Sequence, residues 1–92
     1  MKIYKNQSYL TLSLITNEDL TNVTSQKIKF RRPDGTDGEW VANINGSLVE
    51  YNVQNNDLNY SGTWVIWIYL VFSDSRIAIG EPSNLVIYEQ GT

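Results

Sequence analysis

From Trp64 to Phe72 the chain runs nine residues, WVIWIYLVF, with no polar side chain except the Tyr69 hydroxyl. Elsewhere apolar and polar positions broadly alternate, as they do in strands with one buried and one wet face. Ser8–Ile15 sets Leu10, Leu12 and Leu14 against Thr11 and Ser13, and Lys27–Arg31 sets Ile28 and Phe30 against Lys27, Lys29 and Arg31. The same pattern predicts strands over Ile3–Lys5, Glu39–Ile44, Ser47–Val53 and Thr63–Phe72. A last strand runs over Arg76–Ile79 and Asn84–Tyr88. Gly80-Glu81-Pro82 breaks it, because proline cannot donate to a ladder. Helical periodicity never lasts; residues 54–59, QNNDLN, suffice for a single turn.

Turn chemistry supports this division. Pro33, Asp34 and Gly35 form a turn between two strands, and Asn45-Gly46 is a strong two-residue hairpin signal. With Asn45 and Gly46 as the loop, Ile44 is expected opposite Ser47, Ala42 opposite Val49 and Trp40 opposite Tyr51. By the two-residue period, all six fall on one face, with Val53 beyond. Short strands closely spaced by turns are the pattern of a β-sandwich or barrel. The fold expected is all-β, seven-stranded and antiparallel, in a single domain over residues 1–92.

Composition narrows what such a domain does. There is no Cys and no His, hence no disulfide, no thiolate nucleophile, and neither the commonest general base nor the commonest metal ligand. No Gly-x-Ser-x-Gly elbow is present. Asp34, Asp37 and Glu39 could pair as catalytic or calcium-binding carboxylates, but their spacing matches no known ion loop and a solvated turn accounts for them. The chain is therefore expected to be non-enzymatic, with no cofactor and no metal site. A net charge of −3 gives no reason to expect nucleic acid. No signal peptide is visible, and the apolar run is too short for a spanning helix, so no membrane partner is expected. Asn, Ser and Thr supply 25 residues, so the sequons at Asn6, Asn22, Asn45 and Asn59 are read as composition.

One stretch, and then the chain as a whole, carry a family likeness. Residues 57–66, DLNYSGTWVI, resemble the entry into the penultimate strand of an immunoglobulin-like domain, where Asp, a small residue, a corner Tyr and a Cys follow one another. Here Asp57 is followed by Gly62, Trp64 and Ile66, so an indole stands at the corner and Ile replaces the disulfide Cys. The tyrosine-corner hydrogen bond does not transfer, although an indole N–H could play a similar part. The whole chain is similar to the small immunoglobulin-like proteins of tailed bacteriophages. The likeness rests on the short first strand, IKFRRPDGTDGEWVANI, DLNYSGTWVIWIYLVF and the closing GEPSNLVIYE. It implies an immunoglobulin-like sandwich and a structural role in a virion assembled in the bacterial host cytoplasm. Such a protein decorates the capsid or forms part of the tail or baseplate, with the major capsid protein or tail components as partners.

The likeness also orients the apolar run. Trp64, Ile66, Ile68, Leu70 and Phe72 are expected inward, leaving Val65, Trp67, Tyr69 and Val71 outward. Two covers for that outward set compete. The stems of Lys27, Lys29 and Arg31 could lie across the rings, or a partner subunit could bury them, since Trp and Tyr are enriched at interfaces. The basic row, Lys27, Lys29, Arg31 and Arg32, is itself either the wet face of a strand or a docking site for an acidic partner. The candidate interface is therefore Val65, Trp67, Tyr69, Val71, Lys27, Lys29 and Arg31. The alternative function is a carbohydrate-binding or adaptor module of a phage tail or cell-surface protein, with a glycan stacked on Trp67 and Tyr69.

Overall fold

A computed structural model describes residues 2–92. Among them, nine strands form and no helix: β1 Ile3–Tyr4, β2 Thr11–Ile15, β3 Val23–Arg31, β4 Asp37–Val41, β5 Asn43–Asn45, β6 Leu48–Asn52, β7 Gly62–Phe72, β8 Ile77–Ile79 and β9 Ser83–Tyr88. They make two sheets. One has the order β1-β9-β7-β3-β4 with β8 also paired to β7; the other has the order β2-β6-β5. The larger sheet is curled into a half-barrel with mixed strand directions, because β1 runs parallel to β9, with Ile3 beside Ile87. The wholly antiparallel arrangement expected from the sequence is thus modified by one short parallel pair.

The two sheets share one core. Leu12, Val49 and Val53 come from the smaller sheet or its edge, and Ile28, Phe30, Trp40, Trp64, Ile66, Ile68, Leu70 and Ile87 from the larger. Every second residue of β7 from Trp64 to Leu70 is buried, and Phe72 is partly so, which is the inward set that the family likeness implied. Leu58, fully buried in the turn that follows β6, closes one end of the core. Its carbonyl accepts the Asn6 N–H at 2.8 Å, tying that turn to the N-terminal segment.

The segment expected as one strand over Glu39–Ile44 is two. Residues 37–41 pair with β3 in the larger sheet, and residues 43–45 pair with β6 in the smaller. The change of sheet occurs at Ala42, which is fully buried. Gln26 holds it there: the Ala42 N–H donates to the Gln26 carbonyl at 3.1 Å, and Gln26 Nε2 donates to the Ala42 carbonyl at 2.9 Å. A small side chain lets the backbone pass between the layers, and the Gln amide satisfies the carbonyl that leaves the ladder.

The hairpin register also differs from the expected one. Ile44 lies opposite Val49 and Asn45 opposite Leu48, so the loop is Gly46-Ser47. Gly46 has φ +61° and neither Asn45 nor Ser47 has a positive φ, which is the requirement of a type II′ turn with Gly first. The Asn-Gly reading assumed positive φ at both residues. Ile44 thus meets Val49 in place of Ser47, and Trp40, carried into the larger sheet, pairs with Ile28 instead of Tyr51. Trp40, Ala42 and Val49 are buried as expected, whereas Ile44 is exposed.

Candidate functional site

The outward face of the larger sheet is built by β3 and β7 running antiparallel through its middle. Lys27 lies opposite Tyr69, Lys29 opposite Trp67 and Arg31 opposite Val65. On the other flank, the same three cations face Val41, Glu39 and Asp37 of β4. The period of two therefore sets a row of positive charge between a row of rings and an edge carrying two carboxylates.

Each cation is engaged on one or both sides. Lys29 Nζ sits 3.9 Å from the centroid of the Tyr69 ring, and the Arg31 guanidinium carbon 5.8 Å from that of Trp67. Both reach diagonally rather than to the residue directly opposite. Arg31 Nε also donates to Asp37 Oδ1 at 2.9 Å, and Lys27 Nζ pairs with Glu39 Oε2 at 2.6 Å. The hydrogen bond from Lys27 holds the Glu39 carboxyl below its usual range, with the charges of Lys27 and Lys29 adding to the effect.

The four outward residues of β7, Val65, Trp67, Tyr69 and Val71, are all half-buried. The charged ends of Lys29 and Arg31 lie over two of these rings, whereas Lys27 turns to Glu39. The cover is incomplete at the other flank. Ile79 lies opposite Tyr69 and Ile77 opposite Val71, and these isoleucines are 65% and 54% exposed. They continue the aromatic row as an aliphatic one, so that Trp67, Tyr69, Val71, Ile77 and Ile79 share one face. The sequence reading did not include Ile77 and Ile79. Their alternation about Ala78 was the available signal, but only the pairing of β8 with β7 brings them beside the rings.

Arg32 does not belong to this face. Its parity in the chain is that of Ile28 and Phe30, and its guanidinium lies 4.8 Å from the Phe30 ring centroid and 5.8 Å from that of Trp64. The basic row read from the sequence therefore consists of Lys27, Lys29 and Arg31, while Arg32 turns inward over the end of the core. There its Nη1 donates to Thr36 Oγ1 at 3.2 Å, and its stem and planar head cover two aromatic rings.

The acidic turn resolves into separate contacts. Asp34 accepts from the Thr36 N–H and hydroxyl at 3.0 and 2.7 Å, which keeps its carboxyl below the usual range. Asp37 and Glu39 are taken by Arg31 and Lys27. Among the described residues, no three His, Cys, Asp or Glu side chains gather as a metal site would require.

The opposite surface of the molecule, the outward face of the smaller sheet, has a different character. Thr11 bonds to Asn52 at 2.7 Å, Ser13 to Glu50 at 2.9 Å and Asn45 to Glu50 at 3.1 Å. It is a polar ladder with its hydrogen bonds largely satisfied within the sheet.

At the start of β7, Trp64 is fully buried and its indole N–H donates to the Tyr60 carbonyl at 3.0 Å. A side chain at the strand entrance thus returns a hydrogen bond to backbone four residues upstream. Compared with known proteins, the chain matches no family model, no curated protein and no solved structure.

Proposed function

We propose that this chain is an immunoglobulin-like attachment module, a non-enzymatic structural protein that docks on a larger assembly through the outward face of its larger sheet. The observation that carries the reading is the contiguous row of Trp67, Tyr69, Val71, Ile77 and Ile79 beside the cations of β3. An apolar centre with Trp and Tyr, rimmed by charge, is the composition of a protein interface. The cations then contribute orientation more than affinity.

The immunoglobulin-like assignment draws support from strand order. In such domains the second, fifth and fourth strands share one sheet, and the third, sixth and last share the other. Here β2, β6 and β5 are together, as are β4, β3, β7 and β9. The Trp64 indole bond to Tyr60 stands where that fold places a tyrosine-corner bond. The setting, a tailed-phage virion with capsid or tail proteins as partners, rests on the sequence resemblance. A glycan platform is the weaker reading: Lys29 and Arg31 lie against the ring faces on which a sugar would stack.

The experiment is co-expression of the chain with the reading frames adjoining its gene, followed by density-gradient sedimentation. The protein should migrate with assembled particles, and Trp67→Ala should remove it from them. Particles that form while the wild-type protein stays at the top of the gradient would overturn the virion reading. Binding of the isolated monomer to a glycan array would favour the carbohydrate alternative.

A further inference from the structure

The smaller sheet has an open edge of unusual composition. Among the described residues, strand β2 is paired on one side only, to β6. The Val53 N–H donates to the Leu10 carbonyl at 2.9 Å and the Thr16 N–H to the Ser47 carbonyl at 3.0 Å, and both pairs fit the register Leu12 with Tyr51 and Leu14 with Val49. Opposite residues of an antiparallel pair alternate between bonded and non-bonded. The even positions therefore bond to β6, while Thr11, Ser13 and Ile15 direct their N–H and C=O groups away from the sheet.

Exposed edges in monomers are normally guarded by charge, proline, a bulge or shortness. Strand β4 carries Asp37 and Glu39, β8 has three residues and ends just before Gly80-Glu81-Pro82, and β5 and β1 have three and two residues. Strand β2, with five residues TLSLI, has none of these guards. The two most exposed large hydrophobic residues among the described ones lie at its ends: Tyr9, 100% exposed, shortly before it and Ile15, 76% exposed, as its last residue.

We propose that β2 is a self-pairing edge whose partner is a second copy of this chain, joined antiparallel about a two-fold axis at Ser13. This proposal does not rest on the attachment reading, because β2 lies on the other sheet from Trp67. The edge is self-complementary, as a two-fold interface requires. Ser13 meets Ser13 of the second copy, and Thr11 meets Ile15, so each outward-directed N–H and C=O finds its counterpart, giving about six backbone hydrogen bonds. Leu12 meets Leu14, and both already face the core side. Tyr9 comes diagonally against Ile15 of the second copy, within reach of a large ring. No charge lies between Thr11 and Ile15 to oppose the approach. The two three-stranded sheets become one continuous sheet, and the pairing consumes both β2 edges, so assembly closes at two copies.

The test is sedimentation equilibrium of the full chain from about 1 μM to about 1 mM, a range that brackets weak protein association. Twice the monomer mass should appear with rising concentration. Ile15→Lys and Ser13→Lys should each raise the dissociation constant by at least about tenfold while leaving the far-ultraviolet spectrum and, at the dilute end of that range, the unfolding midpoint unchanged, because both side chains are exposed. Val41→Lys, on the edge strand of the other sheet, should leave association unaltered. Amide exchange at Thr11, Ser13 and Ile15 should slow with concentration, a signature that docking through a sheet face would not produce. A monomer at about 1 mM, a dimer indifferent to both β2 substitutions or broken by Val41→Lys, or growth beyond two copies would each overturn the proposal.

Discussion

The rings of Trp40 and Tyr51 lie parallel, 3° between their planes and 4.9 Å between centroids, although they belong to different sheets. Trp40 sits in β4, paired with Ile28 of the larger sheet, and Tyr51 in β6, paired with Leu12 of the smaller. The stack therefore joins the two layers. On its far side Trp40 is 4.3 Å from Phe30 and 6.2 Å from Trp64, measured between ring centroids, so one aromatic column crosses the core.

Because the stack spans the sheets, its members should couple in folding. Trp40→Ala should cost about 3–5 kcal/mol, and a cycle with Trp40→Leu and Tyr51→Leu should return a coupling of about 0.5–1.5 kcal/mol. Urea titrations of the two single variants and the double variant measure it. Strict additivity would mean that the parallel rings contribute no more than ordinary burial.

Tyr51 also gives the fold an alkaline limit. Burial pushes its phenol above the ordinary value of 10.0, and the hydroxyl's bond to Asp57 Oδ2, 2.6 Å long, pushes it further. A raised phenol value means that the unfolded chain loses its proton first. The contribution is complete below the ordinary value and is lost as pH rises from there through the folded one. Unfolding midpoints should fall as pH rises above about 10, and Tyr51→Phe should flatten that fall. The two proteins losing stability in parallel would assign it to other groups.

Gly38 faces Phe30 directly across the β3–β4 ladder, and a Cβ at position 38 would overlap the Phe30 ring. Gly38→Ala should therefore destabilise the protein by about 1–3 kcal/mol through overpacking. Adding Phe30→Leu should recover part of the loss relative to Phe30→Leu alone, which denaturant midpoints would show. Gly46→Val should also cost stability, for a different reason: its φ of +61° resists a β-branched side chain, while the space around it is open.

Trp64 and Trp67 separate folding from attachment. Trp64 is fully buried and bonded to the Tyr60 carbonyl, so Trp64→Ala should cost about 3–5 kcal/mol of stability. Trp67 is half-buried with Arg31 beside its ring, and its loss should cost about 1–2 kcal/mol of folding. If the face docks as proposed, Trp67→Ala should cost about 2–4 kcal/mol of binding. One unfolding titration and one attachment assay per variant decide between them. Equal losses of stability would make position 67 ordinary core.

The chain by itself determined the all-β class, most of the strands and the faces of those that alternate. Alternation put Leu12, Ile28 and Phe30 on the buried side and Thr11, Lys27, Lys29 and Arg31 outside, because side-chain direction in a strand follows from a period of two. In the continuously apolar β7 that period groups the residues into two faces without saying which is buried. Pro33, Gly35 and Gly46 marked turns through backbone conformations that few other residues accept. These are local properties, carried within a few residues.

Only the tertiary structure decided which edges meet. Ala42 transfers the chain between sheets because a small residue there lets Trp40 stack on Tyr51 while Gln26 satisfies the stranded carbonyl. Residues 46 and 47 are the turn in place of 45 and 46, with Ile44 opposite Val49. Gly46 suits the first place of a type II′ turn as well as the second of a type I′ turn, so the local sequence alone did not separate the two registers. Arg32 turned inward onto Phe30 and Trp64, and Ile77 and Ile79 came to lie beside Tyr69 and Val71. Each of these outcomes depends on surfaces brought together from distant parts of the chain, and their free energy exists only once the core has formed.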